Sequence, residues 1–221
     1  MSFTNGFILT NPTVSEIELR IGGFARWSSC DWPGKLAATV FLQGCPWRCP
    51  YCHNPHLLEA VTPTVLSWPE IEVFLKRRRG LLDAVVFSGG EPTLQRDLPA
   101  AMKVVRDLGF SVGLHTAGPY PDTLKRVLPL VDWVGFDVKA PFGGYDELTK
   151  TPGSERKARK SLLMLLEAGV SYEIRTTVHP ALLTEAALQT LKEEMAALGV
   201  QRHKIQNFRA QGCETPELLT A

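Results

Sequence analysis

The chain has 221 residues, 44% of them hydrophobic and 21% charged, with a formal net charge of +1. That length buries one good core and makes a second large one unexpected. So small a charge gives no field that would select nucleic acid or an anionic membrane. No stretch approaches the roughly 18 uncharged apolar residues a membrane span needs, and residues 1–20 lack the basic start and apolar run of a signal peptide.

In chain order, "LAATVFLQ" (36–43) reads as a buried strand. Residues 67–80 read as a helix, with Ser67 as N-cap, Glu70 three residues on and Gly80 as the stop. "DAVVFSGG" (83–90) is a strand running into glycines, and 97–109 a helix ending at Gly109. A strand at 110–116, a short helix at 121–130 and a strand at 132–140 follow. The last elements are a helix at 154–169, a strand at 170–179, a helix at 184–199 and a strand at 203–209. The segment before residue 36 reads as a lead-in.

Strands alternating with helices imply a parallel sheet with helical crossovers. About six βα units fit, against the eight of a full TIM barrel of about 250 residues. The expected architecture is therefore an incomplete (β/α)6-type barrel forming one domain over residues 1–221, with a core from about 21 to 212. A flat doubly wound sheet is the alternative. Either way the active site belongs at the C-terminal ends of the strands. The unusual motifs all fall on that rim: the cysteines after the first predicted strand, "SGGE" after the second, "HTAG" after the third, "DVK" at the fourth, "RTTVHP" at the fifth and "NFR" at the sixth. The Lys76–Arg79 run ends a helix and reads as a solvated terminus favoured by the macrodipole.

Of five cysteines, Cys45, Cys49 and Cys52 crowd into C-x3-C-x2-C within "FLQGCPWRCPYCHNP". An odd count, three of it clustered, suggests a reducing compartment, here the cytoplasm, and a metal or redox role. Three readings stand, in descending order: an iron–sulfur cluster with one open iron, a zinc site, and unligated cysteines. Zinc lacks a second C-x2-C pair, and His53 directly after Cys52 is hard to aim at the same ion. A four-iron cluster on three thiolates leaves one iron free to chelate a small molecule. Cys30 and Cys213 have no ligand-like spacing to another cysteine. "SGGE" alone is a weak signal: Gly89 and Gly90 permit close backbone approach, and Glu91 reads equally as a helix-start carboxylate. Asp137 and Lys139 share one strand face, because the side-chain period is two.

With Tyr51 before the last cysteine, and with "DWPG" (31–34), "YCHNP" and "FSGGEPTLQ" (87–95), the sequence resembles the radical S-adenosylmethionine superfamily. Within it, the chain is similar to glycyl-radical-enzyme activases, most of all those that activate anaerobic ribonucleoside-triphosphate reductases. The resemblance implies that Cys45, Cys49 and Cys52 hold a [4Fe–4S] cluster whose fourth iron chelates S-adenosylmethionine. It further implies that Gly89, Gly90 and Glu91 lie along the methionine moiety, with Glu91 toward its ammonium group. Lys139 would pair with the carboxylate, Asp137 would fix Lys139 or ligate a monovalent cation, and Arg175 would reach the carboxylate or ribose. Tyr51, His53, Thr116 and Arg209 are further candidate cofactor contacts. "HTAG" departs from the Asp-Thr-Asn-Gly of many activases and puts that cation in doubt. Arg209 stands where some relatives carry a histidine near the ribose.

The activity implied is reductive cleavage of S-adenosylmethionine and glycyl-radical formation on the reductase, with a reduced flavodoxin or ferredoxin-type donor and no nucleic-acid or membrane partner. The lack of a large C-terminal extension agrees with an activase. Another glycyl-radical enzyme of the formate-lyase type, or a small molecule, is the alternative target; a non-catalytic metal-binding module is the reading from another class. "DWPG" reads either as a Pro-Gly turn or as a segment near the incoming loop.

Overall fold

The computed structural model describes residues 17–61, 63–64 and 66–219. The signal-peptide reading falls, for residues 1–16, outside them. Seven strands form one sheet in strictly sequential order: β1 (Ile21–Ser28), β2 (Ala37–Leu42), β3 (Ala84–Gly89), β4 (Ser111–Thr116), β5 (Trp133–Asp137), β6 (Ser171–Val178) and β7 (His203–Asn207). β2 through β7 are parallel. A doubly wound sheet reverses its winding at a switch point; this order has none, and among the described residues β1 and β7 are the edge strands. The expected incomplete barrel is what forms.

The six predicted strands are all present. β1 is an addition, antiparallel to β2. Its sequence, "IGGFARWS", hides it: two glycines weaken the strand signal, and its burial does not alternate. The helices are α1 (Trp68–Lys76), α2 (Leu98–Asp107), α3 (Pro121–Val127), α4 (Tyr145–Thr149), α5 (Ser154–Glu167) and α6 (Glu185–Ala197). α1 starts as expected: the Ser67 N–H donates to the Glu70 carboxylate at 2.8 Å. The short α4 lies within a stretch that reads as loop. Among the described residues no helix is long and apolar enough to cross a membrane.

Alternation along the strands builds two apolar layers. Val40, Leu42, Val85, Phe87, Val134 and Phe136 face outward and pack against Ile71, Met102, Leu124, Leu162 and Leu191 of the helices. Each such side chain stabilises by about 1.5–3 kcal/mol through burial. Inside the barrel, Ala37, Ala84, Val86 and Trp133 close the floor together with Trp32. The Trp32 and Trp133 rings stack at 5.4 Å. "DWPG" is thus a plug from the β1–β2 connection: Trp32 is buried, and the Asp31 carboxylate accepts from Thr39 Oγ1 at 2.7 Å.

Candidate functional site

Above the floor, a cavity of about 810 Å³ opens at the C-terminal strand ends. Every residue nominated from the sequence lines it. One wall carries Cys45, Cys49, Cys52, Tyr51 and His53; the "SGGE" turn adjoins it; Asp137, Lys139 and Arg175 form a charged wall; Thr116 and Arg209 complete the lining. Cys30 reaches the same cavity from the β1–β2 connection, which its isolated position in sequence did not suggest.

The cysteine loop is fastened by backbone. Beyond the end of β3, Gly90 N–H donates to Leu42 C=O and Glu91 N–H to Gly44 C=O, both at 2.8 Å. The returning leg closes on the same seam: Gly44 N–H donates to Leu57 C=O at 2.8 Å and Cys45 N–H to Leu58 C=O at 3.1 Å. Gly89 and Gly90 are required here. Gly89 has φ +122°, and a Cβ on it would stand 2.3 Å from the Leu42 backbone; one on Gly90 would stand 2.5 Å from Gly44 O. The close approach these glycines allow is to the chain itself.

Trp47 anchors the outward bend of the loop, fully buried and edge-on to Tyr145 at 5.7 Å. Arg48 donates to the carbonyls of Cys45 and Trp47 at 2.6 and 3.1 Å. From outside, the C-terminal segment clasps the loop. Thr215 Oγ1 donates to Pro50 C=O at 2.6 Å, and the buried Cys213 thiol contacts the same oxygen at 3.5 Å. His53 Nε2 meets the Arg209 carbonyl at 2.9 Å while its ring stacks on Phe208 at 5.6 Å. His179 packs edge-on against the same Phe208 and reaches Leu218 C=O at 3.2 Å.

Burial pushes the Cys45 thiol up to about 12 and the Cys49 thiol up to about 11, against the pull of Lys139. Cys52 is raised for the same reason. As free thiols they stay protonated; they become thiolate ligands only against the positive charge of a metal centre. Among the described residues no three His, Cys, Asp or Glu side chains converge on a single ion. Tyr51 is buried beneath Lys139, its ring 5.8 Å from Nζ and its hydroxyl without a hydrogen-bond partner.

Glu91 lines the cavity and is also tied into the chain. Its carboxylate accepts from Thr93 N–H at 3.0 Å, Thr116 Oγ1 at 2.7 Å and Ala117 N–H at 3.1 Å, and also from Thr93 Oγ1. Three of these donors fall on Oε1 and only Ala117 N–H on Oε2, so Oε2 keeps acceptor capacity for a further donor. Glu91 therefore ties the "SGGE" turn to the end of β4, and Thr116 is spent on it.

On the charged wall, Asp137 Oδ1 accepts from Arg175 Nε at 2.9 Å and Oδ2 from Lys139 Nζ at 3.2 Å. Burial alone would raise the Asp137 carboxyl; Arg175 and Lys139 outweigh it and hold it well below the usual range. Burial works against the Lys139 ammonium too, but Asp137 and the neighbouring Tyr51 hold it well above its ordinary value. His115 sits below this pair, 2.7 Å from Asp31 C=O, 3.2 Å from Ser88 Oγ and 3.2 Å from Arg175. Burial, then the Arg175 charge, brings it down to about 4, so the ring is neutral. Sequence marked His115 only as a departure; its place in the network depends on Asp31, 84 residues away.

Residues 39–193 match the Radical SAM superfamily. A protein of Methanocaldococcus jannaschii named "Putative glycyl-radical enzyme activating enzyme" is 32% identical over 181 residues, 77% of this chain and 73% of that one. The pyruvate formate-lyase-activating enzyme of Clostridium pasteurianum is 31% identical over 170 residues, 74% and 70% of the two chains. In fold, the chain is similar to Streptococcus suis SuiB bound to S-adenosylmethionine, with TM-score 0.59 at 14% identity over 75% of this chain and 38% of that longer one. The three thiols, the "SGGE" turn and the Asp137–Lys139 pair all lie within the matched span, and the chain belongs to the radical SAM superfamily, among relatives named as glycyl-radical-enzyme activating enzymes.

Proposed function

We propose that the chain is a glycyl-radical-enzyme activase whose partner is an anaerobic ribonucleoside-triphosphate reductase. One observation carries the reading: three thiols with no fourth cysteine beside them in sequence share a single cavity with a fixed, positively charged wall. The residues fit a [4Fe–4S] cluster held by Cys45, Cys49 and Cys52. A cluster held there would supply the electron for reductive cleavage of S-adenosylmethionine, the chemistry needed for hydrogen-atom abstraction from a partner glycine.

The protein's part is to bind, orient and keep water out. Lys139, charged and fixed by Asp137, is placed to receive the ligand's carboxylate, with Tyr51 packed beneath it. The "SGGE" turn ties the thiol loop to the end of β4. Arg209 lies at the outer lining, where a ribose would pass. Among the described residues β1 and β7 do not pair with each other, which supports entry of an extended segment of another protein from that side. A reduced flavodoxin or ferredoxin-type protein is the expected electron source, and the cytoplasm the expected compartment.

The "DWPG", "FLQGC" and "YCHNP" context supports the reductase as partner. The Clostridium pasteurianum relative favours a second reading, a formate-lyase-type target. Anaerobic mixing of reconstituted protein, S-adenosylmethionine, reductant and each candidate partner, followed by electron paramagnetic resonance, separates them. A glycyl doublet on the reductase alone is expected; a doublet only on the formate-lyase partner selects the second reading. 5′-Deoxyadenosine without any doublet points to a small-molecule substrate, and no 5′-deoxyadenosine ends the enzymatic reading. Cys49→Ala is expected to lose the cluster iron and both signals.

A further inference from the structure

We infer that this chain binds no monovalent cation beside Asp137, because the Arg175 guanidinium already occupies that electrostatic position. The resemblance implies a cation held by an aspartate after the third predicted strand together with Asp137, and the residues present do not fit one. At the first position stands His115. The 2.7 Å contact with Asp31 C=O makes its Nε2 the N–H donor, and Ser88 Oγ then donates to Nδ1. In the other tautomer the Nε2 lone pair faces Arg175 at 3.2 Å. Neither form has a ring nitrogen to offer an ion.

At the second position Asp137 has one oxygen on Arg175 and the other on Lys139. One carboxylate against two fixed cations leaves an unmatched positive charge, which repels a further cation. The guanidinium is seated by design of the backbone. Its NH2 group lies 3.4 Å from Gly135 C=O, and a Cβ on Gly135 would stand 2.9 Å from its Cζ. A side chain at that position would push the guanidinium from this seat. Since arginine does not deprotonate in proteins, the positive charge of this wall is independent of which alkali ion is in solution. The wall suits a ligand bearing a carboxylate. That ligand's identity rests on the functional reading above; the exclusion of the cation does not.

The test begins with the purified protein without cofactors, melted in sodium, potassium and choline chloride at one ionic strength. The wild-type midpoint is expected to agree within about 1 °C across the three salts. Arg175→Gln is expected to melt lower in choline and to be raised by sodium or potassium. Arg175→Lys, which keeps the charge, is expected to stay indifferent. Specific stabilisation of the wild type by an alkali ion overturns the inference, as does an indifferent R175Q or an ion-responsive R175K. If R175Q does not fold, the wild-type and R175K melts still decide. Equilibrium binding of S-adenosylmethionine to the reconstituted protein is the second arm. Wild-type affinity is expected to be equal in the three salts, with R175Q weaker in choline by roughly tenfold and recovering in potassium. Absence of binding by the wild type in every salt brings down the functional reading, while the cofactor-free melts continue to decide the cation.

Discussion

The two walls of the cavity are held by different means. The thiol wall hangs on backbone hydrogen bonds: Leu42 to Gly90, Gly44 to Glu91, and Gly44 and Cys45 back to Leu57 and Leu58. The charged wall hangs on side-chain charges, with Asp137 between Arg175 and Lys139. A backbone seam has no alternative partners and fails as a unit. A charged wall is set residue by residue, so its variants change affinity and pH response first. Soft sulfurs that must surround a preformed group call for the first kind of support, and recognition of a charged ligand calls for the second.

Gly90→Ala breaks this contrast most forcefully. Its Cβ would meet Gly44 O at 2.5 Å and Leu57 O at 2.8 Å, both backbone atoms. The expected cost is about 3 kcal/mol, from steric strain in a seam that cannot relax, read by denaturant unfolding and accompanied by loss of iron on reconstitution. A loss under about 1 kcal/mol would mean that the seam is slack.

Acid sharpens the other side. His115 in the folded protein protonates only near pH 4, whereas unfolded histidine does so near its ordinary value of 6.5. Between those values the unfolded state binds more protons, so stability falls as pH drops from 6.5 to 4, by up to about 1.4 kcal/mol per unit. Asp137, held low, keeps its contribution above the unfolded carboxyl value and loses it only in stronger acid, outside this window. His115→Gln is expected to flatten the slope; an unchanged slope would remove His115 from the account.

The smallest effect is expected from the clasp. Thr215→Val removes the donor to Pro50 C=O and is expected to cost about 1 kcal/mol. Its clearer sign is faster release of cluster iron to a chelator, since the loop's outer face loses a tie. Equal release rates would assign Thr215 to packing alone.

What was legible in the sequence was whatever a local rule exposes. Strand ends locate the active rim in a parallel sheet, so motifs after successive strands converge, and Cys45, Gly90, Asp137 and Arg175 do line one cavity. The two-residue period put Asp137 and Lys139 on one face, and they meet at 3.2 Å. What stayed hidden depends on long-range contact. The Thr215–Pro50 bond spans 165 residues, and no spacing encodes it. Glu91 has two readings in sequence because a turn-start carboxylate and an ammonium partner look alike there; its ties to Thr116 at the end of β4 and to Ala117 just beyond it are long-range contacts that no spacing encodes. β1 was missed because its glycines, which let it cross close to its neighbours, erase the pattern by which strands are recognised.

An unclosed sheet also carries a hazard of aggregation, since each free edge offers unpaired backbone groups to a strand from another copy. Here the two edges are blunted in different ways. β1 breaks register twice, between Ile21 and Gly23 and between Ala25 and Ser28, and such irregularities twist an edge out of flat pairing. β7 is only five residues long and displays the exposed Lys204. Neither edge makes a good template for zipping up the barrel or for stacking a second copy. The opening can therefore persist in a concentrated solution and remain available to a chain that brings its own reason to enter.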